Sequence, residues 1–222
     1  MKLTKMERSD RGDRRVGWVR STFLLSAVSA VSAFLFFVQA ARISAAPQDT
    51  REAIFAGGCF WSMEHVFDGL PGVVSVTTGY AGGTAKRPSY EQVEAGITGH
   101  AESVRVVYDP KKIAYDALLD AYWHNTDPTT AAGQFCDFGT QYRPIIFYGD
   151  ETQKAAAERS KAALEASHRF KRVLTEIQPV STFWPAEPVH QHYYKTHAAA
   201  YQAYRIGCGR DARLTDLWGA RR

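Results

Sequence analysis

The sequence predicts an α+β fold: a mixed sheet covered by a few helices and closed by a long wrapping C-terminal tail. Three observations carry this reading. Strand-like and helix-like segments alternate, but at irregular intervals, so no regular parallel βαβ series emerges. Two runs, Val73 to Tyr80 and Ser103 to Tyr108, are rich in β-branched residues and read as strands. From Ser181 onward the chain shows no sustained period, with a short helix near Tyr193 to Tyr201.

Taken in order, residues 53–57 read as a short apolar strand, Ala53-Ile54-Phe55-Ala56, ending in Gly57-Gly58. Residues 60–69 then read as a helix, with Phe60, Met63, Glu64 and Phe67 at helical spacing. Leu70-Pro71-Gly72 is a turn into the Val73 strand, and a Gly-rich loop from Gly79 to Pro88 follows it. Tyr90 to Gly96 reads as a short extended piece. The Ser103 strand ends at Asp109-Pro110. Tyr115 to Asn125 is an amphipathic helix with Leu118, Leu119 and Tyr122 on one side. Thr126 to Tyr142 reads as loop and Pro144 to Tyr148 as strand. Asp150 to His168 is an alanine-rich helix with an acidic start, and Val173 to Pro179 is a final strand.

The chain has 222 residues and a net charge of +4. Residues 1–46 alone carry +5, which leaves −1 for the remainder. The basicity therefore belongs to the N-terminus, and the globular part has no charge excess that would favour nucleic acid. A basic stretch precedes an apolar run from Thr22 to Ala41, and small residues follow at Ser44-Ala45-Ala46. This is the order of an export signal, and the run is also long enough for an uncleaved membrane anchor. Residues 1–46 are read as signal peptide or anchor and residues 47–222 as the folded domain, exported to the periplasm or held facing outside the cytoplasm.

The cysteines are Cys59, Cys136 and Cys208. They are too few for a disulfide scaffold and have neither metal-ligand spacing nor a CxxC pair. In an oxidising compartment an odd number leaves one thiol free or cycling. Cys59 stands where a helix begins, after two glycines and before Phe60 and Trp61. A helix N-terminus favours thiolate, and the two aromatics offer an apolar pocket beside the sulfur. The alternative is a small buried core cysteine.

Three polar clusters accompany it. Gly99-His100-Ala101-Glu102 puts a carboxylate at a strand entrance, where desolvation would keep it protonated. Asp137-Phe138-Gly139-Thr140-Gln141-Tyr142-Arg143 packs acid, phenol and guanidinium into one loop. His190-Gln191-His192 is a weak metal signal, better read as tail packing. From these residues, a Cys-His hydrolase with His100 or His190 as base, and an aromatic-lined binding module, both stay open.

The ordered set of motifs resembles the peptide methionine sulfoxide reductases of the A type. It comprises Gly58-Cys59-Phe60-Trp61, Gly79-Tyr80-Ala81-Gly82-Gly83, Pro88-Ser89-Tyr90 and Gly99-His100-Ala101-Glu102. It continues with Val107-Tyr108-Asp109-Pro110, Asp127-Pro128-Thr129, Gly139-Thr140-Gln141-Tyr142-Arg143 and His190-Gln191. The resemblance implies a two-layer α/β sandwich, a mixed sheet on a ferredoxin-like core. It implies Cys59 as nucleophile toward the sulfoxide sulfur, Phe60 and Trp61 as walls for the substrate methyl, and Glu102 as proton donor. Tyr90 and Tyr142 match the phenols that hydrogen-bond the sulfoxide oxygen, and Asp137 a further polar residue of the pocket. Cys208 matches the tail cysteine that resolves the Cys59 sulfenic acid, with Cys136 as the alternative. The implied substrate is methionine-S-sulfoxide, free or in proteins, and the implied reductant is thioredoxin or a thioredoxin-like protein. The chain is expected to act as a monomer without metal or other cofactor.

Overall fold

A computed structural model describes residues 49–219. The segment read as signal or anchor, residues 1–46, lies outside the described residues. Among the described residues no helix is long and apolar enough to cross a membrane.

The chain forms β1 (Arg51–Ala56), α1 (Phe60–Phe67), β2 (Val73–Ala81), α2 (Tyr90–Glu94), β3 (Ala101–Tyr108) and α3 (Tyr115–Trp123). A two-residue hairpin follows, β4 (Gly133–Gln134) and β5 (Asp137–Phe138), then a 3-10 turn (Thr140–Tyr142) and β6 (Ile145–Tyr148). The rest is α4 (Glu151–Ala166), β7 (Glu176–Pro179), β8 (Trp184–Pro185), a second 3-10 turn (Pro188–His190), α5 (Tyr193–Thr196), α6 (Ala198–Gly207) and α7 (Arg210–Trp218).

The sheet has six strands in the order β7-β6-β1-β3-β2-β8. All pairs are antiparallel except β6 with β7. The central β6-β1-β3-β2 block, with α1 joining β1 to β2 and α3 lying between β3 and β6, is the split βαβ arrangement of a ferredoxin-like core. Alternation along the strands sorts the residues. Ala53 and Phe55 of β1, with Val104 and Val106 of β3, face Phe60, Met63 and Phe67 of α1, Leu118 and Tyr122 of α3, and Ala157 of α4. Ile54, Ala56, Ile145 and Phe147 face the other way with Ala81 and Ala101, and Val180 and Phe183 of the chain leading into β8 pack against them. Phe55 stacks between Phe67 and Tyr122, with centroids 5.0 and 5.4 Å away. The Tyr122 hydroxyl donates to the Ala56 carbonyl at 2.9 Å, so α3 pins the end of β1 just ahead of the glycines.

Three segments differ from the sequence reading. Tyr90 to Glu94 is helical, not extended, because Ser89 and Gln92 form a reciprocal capping box at its start. The 126–142 loop contains the β4–β5 hairpin, with Phe135 in the left-handed region at its tip. The tail carries three helices instead of one. Ala198 to Ala200 are strong helix formers, and Gly209, at φ +65°, separates α6 from α7.

Candidate active site

Cys59 sits at the N-cap of α1, and its carbonyl accepts from the N–H groups of Ser62 and Met63. The two glycines ahead of it are sterically required. A Cβ at Gly57 would lie 2.7 Å from Thr126 Cγ2, and one at Gly58, already at φ +84°, would lie 2.7 Å from Gln134 Cβ. The sulfur-bearing turn is thus pressed between α1, the Thr126 segment and β4, and Cys59 is 6% exposed.

Glu102, the second residue of β3, is buried, and its Oε2 accepts the Phe60 N–H at 2.9 Å. Burial pushes its carboxyl up to about 8. The Phe60 N–H opposes that rise, and the Asp137 and Glu94 carboxylates add to it. Glu102 therefore holds a proton at neutral pH.

The Cys59 thiol is pushed upward as well, first by burial and then by Glu102 and Asp137. The Tyr204 hydroxyl and the Trp61 N–H pull the other way and are outweighed. The thiolate expected from a helix N-terminus is therefore not the resting form. The Phe60 N–H is occupied by Glu102, and desolvation exceeds what the remaining donors supply.

Asp137 lies on β5. Its carboxylate accepts the Tyr204 hydroxyl at 2.6 Å and the Cys59 backbone N–H, and burial raises its pKa. Tyr90 opens α2, and Tyr142 ends the first 3-10 turn. Both phenols feel Glu102 and Cys59, and burial pushes both upward. Neither hydroxyl makes a hydrogen bond among the described residues. The aromatic wall is Phe60, in ring contact with Tyr80 and His190, and Trp61, stacked on Tyr193 at 3.9 Å with Tyr204 edge-on at 6.3 Å. Trp61 Nε1 is buried without a partner among the described residues. A thiol, a neutral carboxyl and two unoccupied phenols on an aromatic wall can hydrogen-bond and protonate a polar oxygen while sulfur attacks the atom that bears it.

The structure thus brings Cys59, Phe60, Trp61, Tyr90, Glu102, Asp137 and Tyr142 to one place. It adds residues the sequence reading did not single out. Glu187 accepts the Tyr80 hydroxyl at 2.8 Å and the Tyr90 N–H at 2.9 Å, fixing the start of α2. Tyr204 links α6 to both Cys59 and Asp137. Arg210 is 1% exposed, donates to Asn125 O at 2.7 Å, and lies 4.3 Å over the Phe135 ring behind the glycine turn. The one sequence signal for Tyr204 is its position four residues before Cys208, on the same helix face.

No histidine hydrogen-bonds Cys59 among the described residues. His100 Nδ1 accepts the Gly83 N–H and Nε2 donates to the Ala85 carbonyl, so both nitrogens brace the Gly-rich loop. His190 lies among the rings of Phe60, Trp61 and Tyr90. The Cys-His dyad of a hydrolase is absent from the described residues.

The other two cysteines form a disulfide. Cys136, at the hairpin tip, is bonded to Cys208, the C-cap of α6, with Cα atoms 5.0 Å apart, and Cys59 is the free cysteine. Cys136, Asp137 and Cys208 place three metal-type donors together, but the two sulfurs are bonded to each other and offer no thiolate in this state.

Comparison with known proteins agrees with this geometry. The model of the peptide methionine sulfoxide reductase family matches residues 51–222. The peptide methionine sulfoxide reductase MsrA of Listeria monocytogenes is 48% identical over 172 residues, covering 77% of this chain and 97% of the relative. The MsrA of Halalkalibacterium halodurans is 51% identical over 168 residues, covering 75% and 96%. Among solved structures, methionine sulfoxide reductase A of Corynebacterium diphtheriae superposes with a TM-score of 0.61 at 32% identity, covering 69% of this chain and 77% of that one. Reduced Mxr1 from Saccharomyces cerevisiae gives 0.63 at 30% identity, covering 69% and 88%. With a family model spanning the domain and relatives matched over nearly their whole length, the chain belongs to the peptide methionine sulfoxide reductase family.

Proposed function

We propose that the domain reduces methionine-S-sulfoxide, free or in proteins, to methionine, and so repairs oxidised protein. The observation that carries this reading is the protonated, buried Glu102 beside a free Cys59. A sulfoxide oxygen leaves only when protonated, and a neutral carboxyl supplies that proton.

In the proposed reaction Phe60 and Trp61 hold the methyl group, and the Tyr90 and Tyr142 hydroxyls hold the oxygen. Cys59 sulfur attacks the sulfoxide sulfur and the S–O bond breaks. The oxygen passes to Cys59 as a sulfenic acid and methionine leaves. Glu102 gives its proton to the oxygen and recovers one from the Cys59 thiol, so the proton count closes. Asp137, through the Cys59 N–H and Tyr204, orients the nucleophile.

Cys208 then attacks the sulfenic sulfur, and the oxygen departs as water. Cys136 attacks Cys208, which frees Cys59 and leaves the Cys136–Cys208 disulfide as the product of the cycle. A thioredoxin-like dithiol protein reduces that disulfide. All three cysteines lie in one chain, so the cycle needs no second copy, which supports a monomer. Residues 1–46 export it or anchor it facing outside the cytoplasm, which puts the reductant there too, on a membrane partner. Recovery of the domain in the cytoplasmic fraction of intact cells would contradict that placement.

The test is single-turnover reduction of each methionine sulfoxide epimer by the prereduced chain, with thiols counted before and after. Product from the S epimer with loss of two thiols is expected. Cys136→Ser should stop at a Cys59–Cys208 disulfide, and Cys208→Ser at a Cys59 sulfenic acid that a dimedone probe traps. No product from either epimer would overturn the reading.

A further inference from the structure

Arg210, the first residue of α7, is fully buried, and its Nε and Nη1 have no hydrogen-bond partner among the described residues. Burying a guanidinium with two unsatisfied nitrogens costs stability, and an apolar side chain of similar length would fill the space at lower cost. Packing therefore does not account for it, and its contacts offer another account. Nη2 approaches the Gly57 carbonyl at 3.4 Å, two residues before Cys59, and donates to Asn125 O at 2.7 Å. A Cβ at Gly58, the residue before Cys59, would lie 3.5 Å from Nη1. The guanidinium carbon lies 4.3 Å from the ring centroid of Phe135, the residue before Cys136. Arg210 itself follows Cys208 by two residues. One planar group thus meets the chain beside each of the three cysteines.

The base from which it reaches is fixed. Arg213 Nε donates to Asp127 Oδ2 at 2.8 Å, Trp218 Nε1 donates to Thr126 O at 3.1 Å, and Leu214 and Leu217 are buried. These contacts clamp α7 to the segment that presses on Gly57. The turn ahead of α7 is open. A Cβ at Gly207 or Gly209, the glycines flanking Cys208, would meet no neighbouring segment within 4 Å. Cys208 can swing on these glycines while the residue two places on stays put.

We propose that Arg210 is the positioning residue of the cysteine relay, holding the Cys59 turn, the Cys136 hairpin and the base of the Cys208 turn in one register. This rests on the thiol cycle proposed above and adds the group that keeps its three sulfurs within reach. Cys208 sulfur attacks the Cys59 sulfenic sulfur, the S–O bond breaks, and the hydroxide leaves as water with the Cys208 proton. Cys136 sulfur then attacks Cys208, the Cys59–Cys208 bond breaks, and the Cys136 proton passes to Cys59. Cys59 is reduced by two electrons and the Cys136–Cys208 pair is oxidised by two, so no outside oxidant enters. Both exchanges are intramolecular, and their rates follow the effective concentration that a shared anchor sets. Lysine at this position keeps the charge but lacks the fork that meets backbone and ring together.

The experiment is rapid-quench single turnover of the prereduced full chain with methionine-S-sulfoxide, timing methionine formation and disulfide formation separately, with dimedone trapping the waiting Cys59 sulfenic acid. Arg210→Met and Arg210→Lys should slow disulfide formation about tenfold or more beyond any slowing of methionine formation, so that the sulfenic acid accumulates. Phe135→Leu removes the ring contact alone. It should leave methionine formation and the Cys59–Cys208 bond in place and slow passage to Cys136–Cys208 about threefold. A structural role alone lowers Tm and both rates together, so equal slowing of the two steps in the Arg210 variants overturns the proposal. So does an unchanged rate of disulfide formation in a folded Arg210→Lys chain. If neither Arg210 variant folds, Phe135→Leu decides, and an unchanged passage to Cys136–Cys208 overturns the proposal. If the unsubstituted chain makes no methionine, the thiol cycle itself is lost and the proposal falls with it.

Discussion

Two sulfur centres lie within one domain and are built in opposite ways. Cys59 is held at the buried end of a strand–turn–helix, where both preceding residues must be glycine and the Phe60 N–H is committed to Glu102. Cys136 and Cys208 lie on a hairpin tip and a helix end, with the bond facing outward. The contrast follows the two halves of the chemistry. Attack on a sulfoxide gains from a dry pocket, because dryness keeps Glu102 protonated. Reduction by another protein needs access. Asp137 and Tyr204 join the two centres, each standing one to four residues from a disulfide cysteine while touching Cys59.

The largest expected effect tests whether the centres are separable. Cys59→Ser should abolish turnover, by about a thousandfold or more. Cys208→Ser should keep one near-normal turnover per chain and lose all later ones, read by rapid quench. If Cys208→Ser also loses the first turnover, the two centres act as one.

Glu102→Gln comes next, with an expected loss of about a hundredfold in the sulfoxide step. The unsubstituted chain should lose rate as pH rises through about 8, because the donor must be protonated, and the variant should lose that limb. Stability of the unsubstituted chain should fall over the same range. The folded-state pKa of Glu102 is raised from 4.5 to about 8, so the contribution of its neutral form is full below 4.5 and is lost as pH rises toward 8. Thermal melts should show Glu102→Gln gaining on the unsubstituted chain between pH 5 and pH 9. A gap that does not change with pH would deny that Glu102 is buried neutral.

Tyr204→Phe removes the hydroxyl shared by Cys59 and Asp137. One lost hydrogen bond to a charged group should lower the sulfoxide step about tenfold. Reduction of the disulfide by dithiothreitol should be unaffected. Equal effects on both would dissolve the distinction between the centres. The smallest effect is that of Ser89→Ala, which removes the cap that sets Tyr90 and should cost about 1 kcal/mol in denaturant melts.

The buried centre was more legible than the exposed one, and for physical reasons. Ala53-Ile54-Phe55-Ala56 before two glycines, then Cys59 with apolar residues at helical spacing, is local information. The strand, turn and helix follow from it. So is the Val-rich strand that carries Glu102. The Cys136 hairpin had no such signal. Its strands are two residues each, and its turn places Phe135, not a glycine, at φ +57°. Tyr204 and Glu187 gain meaning only from tertiary contacts to residues 67 or more positions away. The tail contains several tyrosines, and only the spacing of four residues to Cys208 sets Tyr204 apart from Tyr193 and Tyr201. The thiolate expected at Cys59 failed because a helix N-terminus was weighed without the desolvation that only a folded pocket supplies.

The separation of 72 residues between Cys136 and Cys208 makes the bond a large loop closure. Closing a loop of that length removes about 4 kcal/mol of chain entropy from the unfolded state. Stability and reducibility are then one quantity counted twice. Whatever the bond adds to the fold, the fold returns by holding the bond closed, and ~4 kcal/mol corresponds to ~90 mV for a two-electron couple. The chain is therefore a sturdier molecule after each repair than before it, and its partner must supply that difference every time the cycle restarts.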